Sequence, residues 1–270
     1  MTARLLLLSL VLWQSSLVTA AELSPAEIMV RAAELTPVDD QISTLTFKFK
    51  EVKKEEKMLV YRMFWQQMDK ESGYADRTIF FSQYPPDQKG VAFMSWMRAE
   101  GDLREDDEWL YLPELQIVRR VSKRDHDHKH HDDVFGHSVL QQQQLDPRPP
   151  NLDQHQLKEL VILDNRTYYV ITSQPIKPDP DYPFSKVETW IDQVTFTPSR
   201  KLFFDTAGTL VVDMSLEWRN IKERWVWQKV TAINPQTEAT TRLEISDIEV
   251  NIGLTESDFS KRALKLGGKR

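Results

Sequence analysis

The sequence predicts a mainly β (α+β) fold, an antiparallel meander of about eleven strands curled into a barrel or half-barrel. Three observations predict it. Apolar and polar residues alternate with period two in run after run from Ile42 to Val250. The connections are mostly short and polar, leaving little room for crossover helices. Several runs also carry large apolar side chains at nearly every position, so both faces of those strands have to be buried. The clearest is Asp107–Val121, DEWLYLPELQIVRRV, in which Trp109, Leu110, Tyr111 and Leu112 precede Pro113, and Leu115, Ile117, Val118 and Val121 follow it. One face of such a strand can meet the protein's own helices. The other needs a second cover or a ligand, and that excess of apolar surface points to binding something greasy.

Along the chain, residues 1–20 have the pattern of a cleaved export signal: Arg4, the apolar run Leu5–Trp13, and Val18-Thr19-Ala20 before Ala21. The apolar run is too short to span a bilayer comfortably. Ser24-Pro25-Ala26-Glu27 starts a helix, with Ser24 as cap, Pro25 at the first helical position and Glu27 closing a capping box. Ile28, Met29, Ala32, Ala33 and Leu35 give it one apolar face, and Pro37 marks its end. Strands are then expected at Leu45–Phe49, Met58–Met68, Thr78–Phe81, Val91–Arg98 and around Trp109 and Leu115. Leu160–Leu163 and Tyr168–Thr172 flank Asp164-Asn165-Arg166, a hairpin turn. Lys186–Phe196, Lys201–Phe204, Leu210–Trp218, Trp225–Asn234 and Thr240–Val250 complete the series. Residues 21–270 read as one half-barrel domain interrupted by an excursion at Lys123–Gln156, with room for a short helix around Val139–Leu145.

Composition narrows the function. The chain has 41 acidic and 35 basic residues, with no sustained basic run before the tail Lys261–Arg270, so nucleic acid is not an expected partner. It has no cysteine, hence no disulfide and no lipoprotein-type anchor. It also lacks a Gly-x-Ser-x-Gly elbow, and Gly136-His137-Ser138 is adjacency without geometry. No catalytic residue is assigned and no enzyme is expected. The sharpest polar cluster is Asp125–Asp133, four histidines and four aspartates in nine residues. His126, His128, His130 and His131 could bind zinc, copper or nickel, although such a tract more often forms a solvated loop tip. No other cofactor is expected.

Trp65, Met94, Trp96, Trp109, Tyr111 and Trp227 are the candidates for an apolar cavity wall, since methionine and aromatic side chains make adaptable apolar surfaces. Arg98, Arg119 and Arg120 are the candidates for meeting a lipid head group or closing a lid. Ordinary core packing and ordinary surface charge are the competing roles for these residues.

The segment Glu108-Trp109-Leu110-Tyr111-Leu112-Pro113 with Val118-Arg119-Arg120-Val121 resembles the Trp-x-Tyr-x-Pro…Arg-Arg signature of LolA-like outer-membrane lipoprotein-sorting proteins, in particular the branch found beside RND/MMPL-type exporters. Glu188–Asp192, Pro198…Lys201, Trp225-Val226-Trp227 and Thr241–Ile248 come next in the family's order. Asn251, Leu254, Asp258-Phe259-Ser260 and Leu264 are similar to its closing strand and last helix. The resemblance implies an incomplete β-barrel with a few helices plugging its open side and an apolar cavity between. It further implies a periplasmic carrier of lipid or lipoprotein acyl chains, working between an inner-membrane exporter and an outer-membrane acceptor. One departure stands out: the His/Asp cluster replaces the Gly-Ser-Asp segment that commonly follows the Arg-Arg strand. Two rival expectations are a metal- or pH-responsive module run by the histidine loop, and an adaptor of an RND-type transporter that carries nothing.

Overall fold

The computed structural model describes residues 23–35, 38–99, 102, 104–121, 138–140, 144, 148–179 and 182–268. Residues 1–20, expected to be an export signal, and the four histidines of the loop lie outside the described residues. The first helix, α1 (Pro25–Ala33), is built as its sequence dictates. Ser24 Oγ accepts from the Glu27 amide at 3.3 Å, and the Glu27 carboxylate accepts from the Ser24 amide at 2.8 Å.

Thirteen strands among the described residues form one antiparallel sheet. Six come after α1: β1 (Asp40–Lys50), β2 (Lys57–Gln67), β3 (Tyr74–Tyr84), β4 (Ala92–Arg98), β5 (Asp107–Leu112) and β6 (Ile117–Val121). Seven come after the excursion: β7 (Asp153–Leu163), β8 (Arg166–Pro175), β9 (Phe184–Asp192), β10 (Pro198–Asp205), β11 (Leu210–Ile221), β12 (Arg224–Ile233) and β13 (Thr240–Val250). Helix α2 (Lys261–Leu266) closes the chain.

Each group is a meander of hairpins, and the spatial order is 6-5-4-3-2-1-13-12-11-10-9-8-7. A right-twisted sheet of this many strands has to curl, and the result is the incomplete barrel expected. It contains two more strands than the expected count. The β7–β8 turn is the expected Asp164-Asn165 hairpin, with both residues at positive φ (49° and 60°) as a type I′ turn requires. At Pro113–Gln116 the chain turns, with Gln116 at φ 54°. Leu115 therefore sits at the tip, largely exposed, and β6 begins only at Ile117.

One seam joins the two meanders. β1 pairs with β13 from Gln41↔Val250 to Lys50↔Thr240. Asp40, 2% exposed, fixes the chain just beyond β13: its carboxylate accepts from the amides of Ile252 (2.7 Å) and Leu254 (2.8 Å). Gln66 Nε2 donates to the Leu254 carbonyl at 2.7 Å, and Asn251 Oδ1 accepts from the Asp39 amide at 2.9 Å. These bonds lead the C-terminal segment onto the β1–β6 half of the sheet, where Leu254, Phe259 and Leu264 are buried. Asp40→Ala would leave two inward-pointing amides without their acceptor. We expect it to lower stability by about 3 kcal/mol, read from the urea midpoint, with Asp40→Asn losing less because its amide oxygen still accepts.

Candidate functional site

Directly paired residues of neighbouring strands project to the same face, so the register assigns every side chain to one of two surfaces. On one face, a row runs Leu157–Ile171–Thr189–Lys201–Met214–Ala232–Thr241–Phe49 across β7 to β13 and into β1. Its neighbours Leu45, Phe47, Val187, Phe203, Leu216, Val230 and Leu243 form the largest buried cluster, with Leu140 of the excursion packed into it. Helix α1 lies on the same face, with Ile28 against Ile171 and Ile191. This is the inner surface of the half-barrel. Thr241 Oγ1 holds the returning excursion there by accepting from the Val139 amide at 2.8 Å.

The inner face continues into the other half of the sheet as the row Met63–Phe80–Phe93–Leu110–Arg119. Here the apolar residues are only half-buried, and Arg119 is exposed. The opposite face of the same strands carries Ile42, Phe64, Ile79, Phe81, Ala92 and Met94, all buried beneath the C-terminal segment. Among the described residues, the two-sided apolar strands of the sequence thus have their helical cover on one side only.

The structure distributes the sequence candidates unevenly. Met94, Trp96, Trp109 and Tyr111 come together, but beneath the C-terminal helix, where Trp96 and Trp109 meet edge to face at 6.1 Å. Trp65 belongs to a separate cluster with Val38, Val226 and Val250. Trp227 packs on the inner cluster and meets Trp218 edge to face at 6.0 Å. The three arginines also separate. Arg98 and Arg120 both bind the buried Asp107, whose carboxylate also accepts from Tyr74 Oη at 2.7 Å. Burial, reinforced by that bond to Asp107, raises the Tyr74 pKa above its ordinary value. Arg98 stacks on the Tyr74 ring at 4.2 Å. Arg119 alone shares a face with the inner row. Adjacent strand residues point to opposite faces, which separates Arg119 from Arg120.

A cavity of about 80 Å³ lies between α1, the returning excursion and β7–β10 of the inner face. Met29, Ala32, Val187 and Phe203 supply its apolar lining. Its polar lining is mostly committed. Arg148 donates to Asp153 and Asp179, both at 2.9 Å, and stacks over Tyr182 at 4.1 Å. His155 Nε2 lies 2.8 Å from the Pro150 carbonyl and Nδ1 2.8 Å from Ser173 Oγ. The carbonyl can only accept, so Nε2 carries a proton. Burial pushes the Tyr182 phenol up to about 12.

Lys201 differs from these groups. It is the single charged residue of its inner-face row, flanked across the strands by Thr189 and Met214, and it makes no hydrogen bond or ion pair with the described residues. Burial pushes its ammonium down to about 8, the direction expected when a cation loses water without gaining a partner. Sequence reasoning did not single it out. Its one signal is that Lys201 shares the parity of Phe203, and that becomes informative only once the register of β9 and β11 is known. A larger hollow, about 270 Å³, lies on the opposite face between Phe64, Phe81 and the C-terminal helix residues Arg262, Ala263 and Leu266.

A curled antiparallel sheet with an apolar inner face partly covered by helix has counterparts among known proteins. A family model described as an uncharacterized protein matches residues 75–266, and the chain belongs to that family. Among solved structures, a DUF1329 family protein from Desulfovibrio piger superposes with a TM-score of 0.72 at 19% identity, over 89% of this chain and 97% of that one. A domain described as outer membrane lipoprotein-sorting, from Vibrio parahaemolyticus, gives 0.66 at 24% identity, over 88% and 95%. A LolA superfamily protein from Nitrosomonas europaea gives 0.61 at 17% identity, over 89% and 99%. These likenesses establish the fold. No curated protein matches the chain.

The unpartnered ammonium has a consequence for stability. Below pH 8 both folded and unfolded chains hold the Lys201 proton, and the folded state carries the cost of its partial desolvation. Between about 8 and 10.5 the unfolded chain keeps a proton the folded one has shed, so stability rises with pH across that window. Lys201→Met should therefore stabilise the protein at pH 7, by up to about 3 kcal/mol. Thermal unfolding of both forms from pH 7 to 10.5 should show the gain fade as pH rises.

Proposed function

We propose that this protein is a periplasmic carrier that holds the acyl chains of a lipid or lipoprotein against its inner face, and that it is not an enzyme. The observation that carries the reading is the half-buried row Met63–Phe80–Phe93–Leu110. These are large apolar side chains on the inner face of a sheet whose other face already has its cover. An acyl chain laid along such a surface gains about 0.8 kcal/mol per buried methylene. Part of that gain is lost in ordering the chain, leaving an affinity from which release to an acceptor is practicable. The shared fold with a lipoprotein-sorting domain and a LolA superfamily protein supports the same reading.

In this scheme residues 1–20 direct export, an inner-membrane exporter of the RND type supplies the cargo, and an outer-membrane acceptor receives it. No helix among the described residues is long and apolar enough to cross a membrane.

Native mass spectrometry of protein purified without detergent, followed by lipid analysis of the denatured sample, tests the reading directly. A stoichiometric lipid or lipopeptide is expected, and a bare mass with no binding of any acyl probe would overturn it. The double variant Phe93→Asp/Leu110→Asp should keep its circular dichroism, because both positions are already partly solvated. Its affinity for a neutral fluorescent apolar probe should fall roughly tenfold or more.

A further inference from the structure

We infer that Lys201 anchors an anionic group, a carboxylate or a phosphate, so that the cargo of the inner face is an acidic amphiphile held by its head as well as by its chain. The inference rests on the carrier reading and specifies its ligand.

Four observations lead to it. Lys201 lines a cavity on the same face as the apolar rows, so a ligand whose chain lies along that face can bring its polar end to this residue. The cavity's volume of about 80 Å³ has room for several water-sized groups, enough for a carboxylate or phosphate but too little for a whole acyl chain. The other cation in the lining, Arg148, is already taken by two carboxylates. Among the described residues Lys201 has no such partner, and Thr189 beside it in the row offers a hydroxyl that can donate to an anion.

The charge state agrees. With burial holding the ammonium at about 8, Lys201 is still mainly protonated at neutral pH. It therefore presents a positive charge, unpaired among the described residues and half-buried, and an anion in contact would recover in Coulomb energy and hydrogen bonding what partial desolvation removed. A neutral hydroxyl head could accept one hydrogen bond from the ammonium but would bring no charge to offset it.

The test compares ligands of one chain length and different heads. Dodecanoic acid, dodecyl phosphate and dodecanol would each compete, at pH 7, against the neutral probe N-phenyl-1-naphthylamine bound to wild type, Lys201→Met and Lys201→Arg. Wild type should prefer the acid and the phosphate over the alcohol about tenfold or more. Lys201→Met should lose that preference while binding the alcohol at least as well, and Lys201→Arg should keep most of it. Because Lys201→Met is expected to raise stability, a loss of acid binding cannot be put down to unfolding.

Equal competition by acid and alcohol in wild type, or the same preference in Lys201→Met, would overturn the anchor and leave the carrier reading standing. Failure of the probe and of all three amphiphiles to bind would overturn the carrier reading itself. Calorimetry with inorganic phosphate alone separates the two sources of such an anion. Phosphate binding as tight as that of dodecyl phosphate, and lost in Lys201→Met, would assign the subsite to a free anion and overturn the head-group assignment. Binding weaker than that of the amphiphile supports it.

Discussion

The fold depends on the pairing of its first strand with its last. β1 and β13 lie some two hundred residues apart in the chain, yet they sit side by side at the centre of the sheet order. Without that seam the molecule is two separate meanders, one of six strands and one of seven, neither of which encloses anything. With it, Leu45 and Phe47 of β1 join Leu243 of β13 and Val230 of β12 in one buried cluster spanning both halves. The loop-closure entropy of so distant a pairing has to be recovered from this burial and from the ladder itself. Asp40 adds direction, because the strand that closes the sheet also hands the C-terminal segment to its other face.

That hand-over explains why β1–β6 can be apolar on both sides. Trp109 and Tyr111 of β5 face the C-terminal segment, and Lys261 reaches over the Trp109 ring at 5.9 Å. Leu110 between them faces the inner surface. A single strand therefore serves two apolar interfaces, one packed against the protein's own C-terminal segment and one continuous with the interior of the half-barrel. The charged groups obey the same division. Asp107 ties together Tyr74, Arg98 and Arg120 on the covered face, where a network of this kind holds the edge strands β4, β5 and β6 in register. Arg119 remains in solvent on the inner side.

Much of this was legible in the residues. The capping box at Ser24–Glu27, the turn at Asp164-Asn165 and the period-two runs are local features, set by hydrogen bonds and backbone angles within a few residues. The assignment of faces could not be read. A strand such as Trp109–Leu112, apolar at every position, has no alternation to say which side is inward. Four of the six cavity candidates accordingly came from the face that the tail covers, whereas Phe80, Phe93 and Leu110, the half-buried inner residues, looked no different in sequence. Lys201 was hidden for the same reason. A lysine within Lys-Leu-Phe-Phe has the appearance of a strand-end surface charge until the register places it opposite Thr189 and Met214.

The inner surface is graded. At the β7–β10 end, α1 and the returning excursion press onto it, and the residues there are buried among protein. Toward β3–β6 the described residues give it no equivalent cover, and its apolar side chains stay half-exposed. An extended amphiphile meets these two regions differently. Its chain gains most where the surface is still wet, since water is displaced there and no packed protein has to move. An acidic head gains most at the half-buried Lys201, whose charge is unpaired among the described residues. The same gradient favours exchange over permanent capture. On the carrier reading proposed above, the chain would bind on the open shelf, from which an acceptor could draw it stepwise, while the Lys201 end would fix orientation. A closed barrel would bind the same chain more completely, whereas among the described residues no strand pairs beyond β6 or β7, an opening that would suit release on the carrier reading.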